Sequence, residues 1–113
     1  MSTSPTAVTE ADWSRRVIET ALLFGWRVAH FRPARTAKGW RTAMSGHAGY
    51  PDLTLLRRGR LILAELKAGR GVPTPDQSEW LREFGLVGGV EAYVWRPEMW
   101  QEVYLALAKD SRA

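Results

Sequence analysis

The stretch LTLLRRGRLILAELK, residues 53–67, decides how the rest of the chain is read. Leu53 to Leu56 is a short apolar run, Leu61 to Leu66 a longer one, and Arg57 to Arg60 between them is a turn built on Gly59. Two apolar runs about a glycine turn predict a β-hairpin. Side chains alternate along a strand, so Glu65 and Lys67 project from one face and Ala64 and Leu66 from the other. Asp52 stands at the mouth of the first strand, behind Gly49-Tyr50-Pro51, where proline's fixed φ aims the backbone. Closing the hairpin brings Asp52 within reach of Glu65. Two carboxylates and an ammonium then converge on one patch.

Upstream, Thr9 reads as a helix cap with Glu10 and Asp12 in the first turn. Trp13, Val17, Ala21 and Phe24 follow at helical spacing, widened by Ile18 and Leu22, and Gly25 closes the helix. Trp26 to Phe31 reads as a strand. Residues 32–50 contain Pro33, Gly39, Gly46 and Gly49 with little apolar periodicity, which predicts a loop of about nineteen residues. A loop that long is expected to be functional, ordering when its ligand binds.

Downstream, Ala68 to Pro73 is a glycine-rich exit loop. Thr74-Pro75-Asp76-Gln77 opens a helix with Thr74 as cap, Pro75 in the first helical position and Gln77 at the reciprocal capping position. Trp80, Leu81 and Phe84 form its apolar face and Gly85 ends it. Val90 to Trp95 is a fourth strand, and Pro97 starts a last helix striped by Trp100, Val103, Tyr104 and Leu107. The order α-β-β-β-α-β-α predicts an α/β domain with a mixed four-stranded sheet flanked by helices. Its expected extent is residues 9–109, after a flexible lead-in over residues 1–8. Trp13, Trp80 and Trp100 are expected in the core.

Composition narrows the function classes. The chain has 113 residues, 45% hydrophobic and 25% charged, which fits one ordinary globular domain rather than a disordered tail. With no cysteine there is no disulfide framework, thiolate metal site or cysteine nucleophile. Apolar runs are too short to span a bilayer, and Met1 to Glu10 lacks the pattern of a secretory signal. A cytoplasmic protein with no membrane partner is expected, of bacterial or viral type.

The net charge is +4, but it is unevenly spread. Residues 1–70 carry twelve basic and five acidic side chains; residues 71–113 carry four and seven. Between Glu19 and Asp52 there is no acid, while Arg27, Arg32, Arg35, Lys38 and Arg41 fall in the gap. Such a face suits a polyanion, although a solvated basic loop has the same composition. Trp40, flanked by Lys38-Gly39 and Arg41, is positioned to stack on an unpaired base. Arg70 adds a further cation beside the exit loop.

The carboxylate patch suggests metal chemistry. Two close carboxylates repel unless a divalent cation lies between them, and Mg²⁺ takes one or two carboxylates together with water and phosphate oxygens. Such a metal activates water and neutralises a phosphate under in-line attack. A neighbouring lysine stabilises the charge that develops. A Glu-x-Lys pair alone is commonplace on strand ends; Gly-x-Pro-Asp across a hairpin from it is not. His30 reads as a packing residue or a phosphate contact, and His47 as a loop residue.

Gly49-Tyr50-Pro51-Asp52, then Glu65-Leu66-Lys67, then Gln77 at a helix start, resembles the VRR-NUC domain of the PD-(D/E)XK nuclease superfamily. The likeness extends to Gly25-Trp26, His30, Gly71, Thr74-Pro75-x-Gln77-x-x-Trp80 and Tyr93-Val94-Trp95-Arg96-Pro97, covering about residues 9–108. It implies a restriction-endonuclease-like core and a Mg²⁺- or Mn²⁺-dependent endonuclease hydrolysing DNA phosphodiester bonds. Asp52 and Glu65 would be metal ligands, the Leu66 carbonyl a third, and Lys67 the catalytic lysine. Gln77 would stand at the active-site edge, or serve only as a capping residue. The first-helix acid that often completes such a site would be Glu10 or Glu19; Ser14 stands where some relatives carry Gln or Glu. Stand-alone relatives are similar to Holliday-junction-resolving enzymes, so branched DNA and a homodimer are implied, with no small-molecule cofactor. The rival expectations are a nucleic-acid-binding module without catalysis and a protein-interaction domain.

Overall fold

Helix α1 (Glu10–Leu23) begins where the Thr9 hydroxyl accepts the Asp12 amide at 3.0 Å, and it buries Trp13, Val17 and Ala21. These residues lie four apart and form one stripe. The computed structural model describes residues 8–31, 34–36, 39–41 and 45–110. The expected lead-in therefore lies almost wholly outside the described residues.

After α1 come β1 (Arg27–His30), β2 (Ala34–Thr36), β3 (Gly39–Arg41), β4 (Leu53–Arg57), β5 (Arg60–Leu66), α2 (Pro75–Gly85), β6 (Val90–Trp95), a 3₁₀ turn (Pro97–Met99) and α3 (Trp100–Ala108). The main sheet runs β1-β4-β5-β6. Its first two pairings are antiparallel and β5-β6 is parallel, which gives the mixed four-stranded sheet the sequence predicts.

Three expectations need correction. Residues 32–50 are not all loop, because β2 and β3 pair as a small antiparallel hairpin with Arg35 opposite Trp40 and Ala34 opposite Arg41. Strands of three residues show too little alternation to be read from sequence. The last helix starts at Trp100 rather than Pro97, since Pro97–Met99 winds as a 3₁₀ turn. Trp80 and Trp100 are half-buried rather than core, while Trp26 and Trp95 join Trp13 inside.

One face of the sheet, carrying Leu53, Leu55, Ile62, Ala64, Leu66 and Trp95, packs against Trp13, Val17 and Ala21 of α1 and Val103 and Leu107 of α3. Full burial of each large apolar side chain there contributes about 1.5–3 kcal/mol. On the opposite face, α2 lies over β5 and β6. β5 is therefore buried on both sides. The β4–β5 turn is two residues long, with φ of +47° at Arg58 and +84° at Gly59, the paired left-handed conformation that matches strand twist.

That turn also sets two arginines inside the protein. Arg57 donates to the carbonyls of Phe24, Leu107 and Lys109, and Arg60 to those of Ala106 and Lys109, with a two-pronged ion pair to Glu91. Both guanidinium groups lie 5.0 Å from the centre of the Trp26 ring. Trp26 itself donates to the Leu107 carbonyl at 2.8 Å. Cations thus sit where the ends of α1 and α3 present unsatisfied carbonyls. Part of the basic surplus counted in the sequence is consumed in this way.

Candidate active site

Antiparallel register places the candidate carboxylates side by side. Leu53 pairs with Ala64, so one step beyond, Asp52 stands opposite Glu65. The Asp52 Oδ2 accepts the Leu66 amide at 2.8 Å, which fixes the carboxylate against the end of β5. Glu65 is 1% exposed, and its Oε1 is buried without a hydrogen-bond partner among the described residues. Lys67 Nζ lies 3.4 Å from Glu65 Oε2, its side chain 12% exposed. Burial first, and then the charge of Asp52, push the Glu65 carboxyl up to about 8, with Lys67 opposing. Without a cation, burial and the neighbouring acid thus favour the protonated form of Glu65.

The backbone ahead of Asp52 is seated on α2. Gly49 adopts φ +93°, and a Cβ there would fall 2.7 Å from the Asp76 carbonyl carbon and 2.8 Å from the Gln77 nitrogen. Only glycine permits both the left-handed conformation and this approach. Tyr50 then sends its hydroxyl to Thr54 Oγ1 at 3.2 Å, bridging over Asp52 on the same face. Its ring meets Phe31, Trp80 and Phe84 edge-on, at 5.5, 5.1 and 6.0 Å between centroids. Trp80 is tied back to the Ala48 carbonyl at 2.9 Å.

Helix α1 reaches the site from the other side. Trp13 Nε1 donates to the Trp95 carbonyl at 3.0 Å, and the Lys67 amide donates to the same oxygen at 3.1 Å. A methyl group at Gly71 would stand 3.6 Å from Glu10 Oε2 and 3.6 Å from Lys67 Cδ, so the Glu10 carboxylate and the lysine stem flank Gly71. Glu19, nine residues further along the helix, lies about 13 Å away along its axis. Of the two first-helix acids, both exposed, Glu10 is the one at the end of α1 that approaches Gly71.

The remaining candidates divide. Gln77 completes a reciprocal capping box, its Oε1 accepting the Thr74 amide at 2.8 Å and its own amide donating to Thr74 Oγ1 at 3.2 Å. Its carbonyl oxygen is engaged in the cap, two residues into α2 beside Gly49. Arg70 is exposed in the exit loop. Arg35, Trp40 and Arg41 fall on the β2–β3 hairpin, while Arg32 and Lys38 lie outside the described residues. His30 is half-buried on β1 and His47 exposed.

The donor set fits a hard divalent cation. Two facing carboxylates, one with a buried oxygen lacking any partner, supply oxygen ligands and negative charge. Among the described residues, no group of three or more His, Asp or Glu is assembled as a metal cluster. The pair with its neighbouring lysine is the centre of the site. Sequence reasoning missed Phe31 and Tyr50 as its aromatic border; their positions, one strand over from Asp52 and two residues before it, carried that signal.

Among solved structures, the chain is similar to one described as a VRR_NUC domain protein. The two share a TM-score of 0.57 at 23% identity over 90% of this chain and 92% of the other. No family model and no curated protein matches the sequence. At this identity the likeness is one of fold, and it is the fold the sequence resemblance implies. Among the described residues, no helix is long and apolar enough to cross a membrane.

Proposed function

We propose that residues 9–109 form a metal-dependent endonuclease domain that hydrolyses DNA phosphodiester bonds, with Mg²⁺ or Mn²⁺ held by Asp52, Glu65 and the Leu66 carbonyl. The observation that carries this reading is the facing pair Asp52 and Glu65 beside Lys67. A buried carboxylate with an unpartnered oxygen against a second acid is costly unless it takes up a proton or a cation is shared between the two.

In this reading the divalent ion supplies Lewis acidity and an activated water when bound. The protein does the rest. The Leu66 amide orients Asp52, and the sheet holds Glu65 with its carboxylate directed at the same point. Lys67 stabilises negative charge developing on the phosphate or orients the attacking water from its place beside Glu65. In this reading Glu10, which flanks Gly71 together with the lysine stem, is the first-helix acid of the site, and Gln77 is a capping residue at its edge.

The acid-free run from Thr20 to Pro51 supplies the face for the DNA backbone, with Arg32, Arg35, Lys38, Trp40 and Arg41 in it and Arg70 nearby. Branched DNA is the preferred substrate by analogy with stand-alone junction-resolving relatives. Symmetric incision would use two copies of the chain. The other reading is a binding module of the same fold without catalysis; the intact Asp-Glu-Lys set weighs against it. Incubating the protein with plasmid and branched DNA in Mg²⁺, Mn²⁺ or EDTA separates them. Metal-dependent cutting supports the nuclease. DNA retarded but uncut supports the binding module, and neither result leaves an interaction domain.

A further inference from the structure

We propose that Phe31 stacks on an unpaired nucleobase flanking the phosphate held at Asp52 and Glu65, so that the site selects DNA with an unstacked nucleotide beside the cut. The inference rests on the nuclease reading above and adds to it the kind of nucleotide recognised.

His30 pairs with Leu53, and one step beyond, the Phe31 amide donates to the Asp52 carbonyl at 2.9 Å. Phe31, Asp52 and Glu65 therefore form one row across three adjacent strands, on the face that carries α2. Among the described residues, α2 packs on the β5–β6 half of that face, while Phe31, Leu56, Ala29 and Arg27 on the β1–β4 half are exposed. Phe31 is 48% exposed. A large apolar ring at the end of a strand, next to a carboxylate pair, is left facing solvent.

Its surroundings hold it there. The Phe31 ring contacts Tyr50 edge-on at 5.5 Å, and Tyr50 is braced by Thr54, Trp80 and Phe84. A ring held edge-on against a braced tyrosine loses little further freedom when a base stacks on it.

Charge identifies the occupant. Between Phe31 and Tyr50 the sequence carries Arg32, Arg35, Lys38 and Arg41 without one acid. Arg27, exposed on the same side of β1, adds another cation. A half-exposed aromatic beside a candidate cation-holding acid pair, followed in sequence by a run of cations, suits a polyanion that also presents flat apolar faces. Single-stranded nucleic acid has both properties, because stacking is open to any base and the backbone supplies the charge. A paired duplex hides its base faces, so the ring gives it nothing comparable.

The test compares wild type, Phe31→Leu and Phe31→Trp, with Ca²⁺ replacing Mg²⁺ so that binding is read apart from cutting. Leucine keeps the apolar bulk without the π face; tryptophan keeps both. The probes are a single-stranded oligonucleotide carrying 2-aminopurine, the same strand in a full duplex, and a duplex with one unpaired nucleotide. Phe31→Leu should lower the ratio of single-strand to duplex affinity about tenfold and abolish the 2-aminopurine quenching seen with wild type, while Phe31→Trp keeps both. An unchanged ratio with DNA binding intact would overturn the stacking role and leave the nuclease reading standing. Absence of DNA binding by wild type would overturn both. A changed oligomeric state in Phe31→Leu with unaltered DNA affinities would assign the face to a second copy of the chain instead.

Discussion

Trp13 and Trp95 are joined by a 3.0 Å hydrogen bond from the indole nitrogen to the carbonyl oxygen, across 82 positions of sequence. The same oxygen accepts the Lys67 amide, so one atom ties the first turns of α1 to the strand end that bears the lysine. Glu10, one turn before Trp13, stands at the same end of α1. Trp13→Phe should destabilise the fold by about 1–3 kcal/mol through the missing donor and the void. It should also reduce cleavage more than a matched core substitution such as Val17→Ala. Urea denaturation paired with cleavage rates checks this; equal rates at equal stability loss would make the link purely structural.

Glu65 ties stability to pH. Its ordinary value is 4.5 and the folded chain raises it to about 8. Between those values the folded protein retains a proton that the unfolded chain has released, so metal-free stability should fall as pH rises from about 5 to 8. Glu65→Gln should flatten that decline and raise Tm at pH 8. Mg²⁺ or Mn²⁺ should raise the wild-type Tm at pH 8 and leave that of Glu65→Gln little changed. Thermal unfolding across this range, with and without metal, gives the comparison; a wild-type profile that rises toward pH 8 without metal would contradict it.

Lys67 lies 3.4 Å from Glu65 and is nearly buried, a position suited to chemistry more than to long-range attraction. Lys67→Ala should cost roughly 10²–10³ in single-turnover rate with DNA affinity nearly retained. Lys67→Arg keeps the charge, but its broad planar fork does not reproduce the compact ammonium, and it should remain severely impaired. Near-full activity with arginine would reduce the lysine to a simple charge.

Arg57 and the hairpin cations should separate cleanly. Arg57 donates to carbonyls of Phe24, Leu107 and Lys109, so Arg57→Met should cost about 2–4 kcal/mol in stability and leave the salt dependence of DNA binding unaltered. Replacing Arg35, Lys38 and Arg41 together with glutamine should change stability little. Each phosphate that no longer meets a cation should lower the salt slope by about 0.9. Binding isotherms at several salt concentrations decide; an unchanged slope in the triple variant would move the DNA face elsewhere.

The sheet was legible because its signals are local and strong. A glycine turn between apolar runs defines the β4–β5 hairpin, and Thr74, Pro75 and Gln77 mark the start of α2. The facing of Asp52 and Glu65 followed from hairpin register alone. What escaped the sequence depends on distant partners. Arg57 and Arg60 looked like turn cations because the carbonyls they bind belong to residues 24 and 106–109. Glu10 was the better match by its distance from Gly25 and Glu19 the other candidate, while the Trp13–Trp95 bond that seats the start of α1 joins opposite ends of the chain. The β2–β3 hairpin has three residues per strand, too few to print an alternation.

The central claim is that Asp52 and Glu65 together hold the cation that cuts DNA. Single-turnover cleavage of a branched duplex by wild type, Asp52→Asn and Glu65→Gln, each confirmed folded and DNA-binding, tests it most directly. The account predicts Mg²⁺- or Mn²⁺-dependent cutting by wild type, none in EDTA, and a drop of at least roughly 10³ in rate for either variant with DNA affinity kept. Cleavage by either variant at close to the wild-type rate would contradict it.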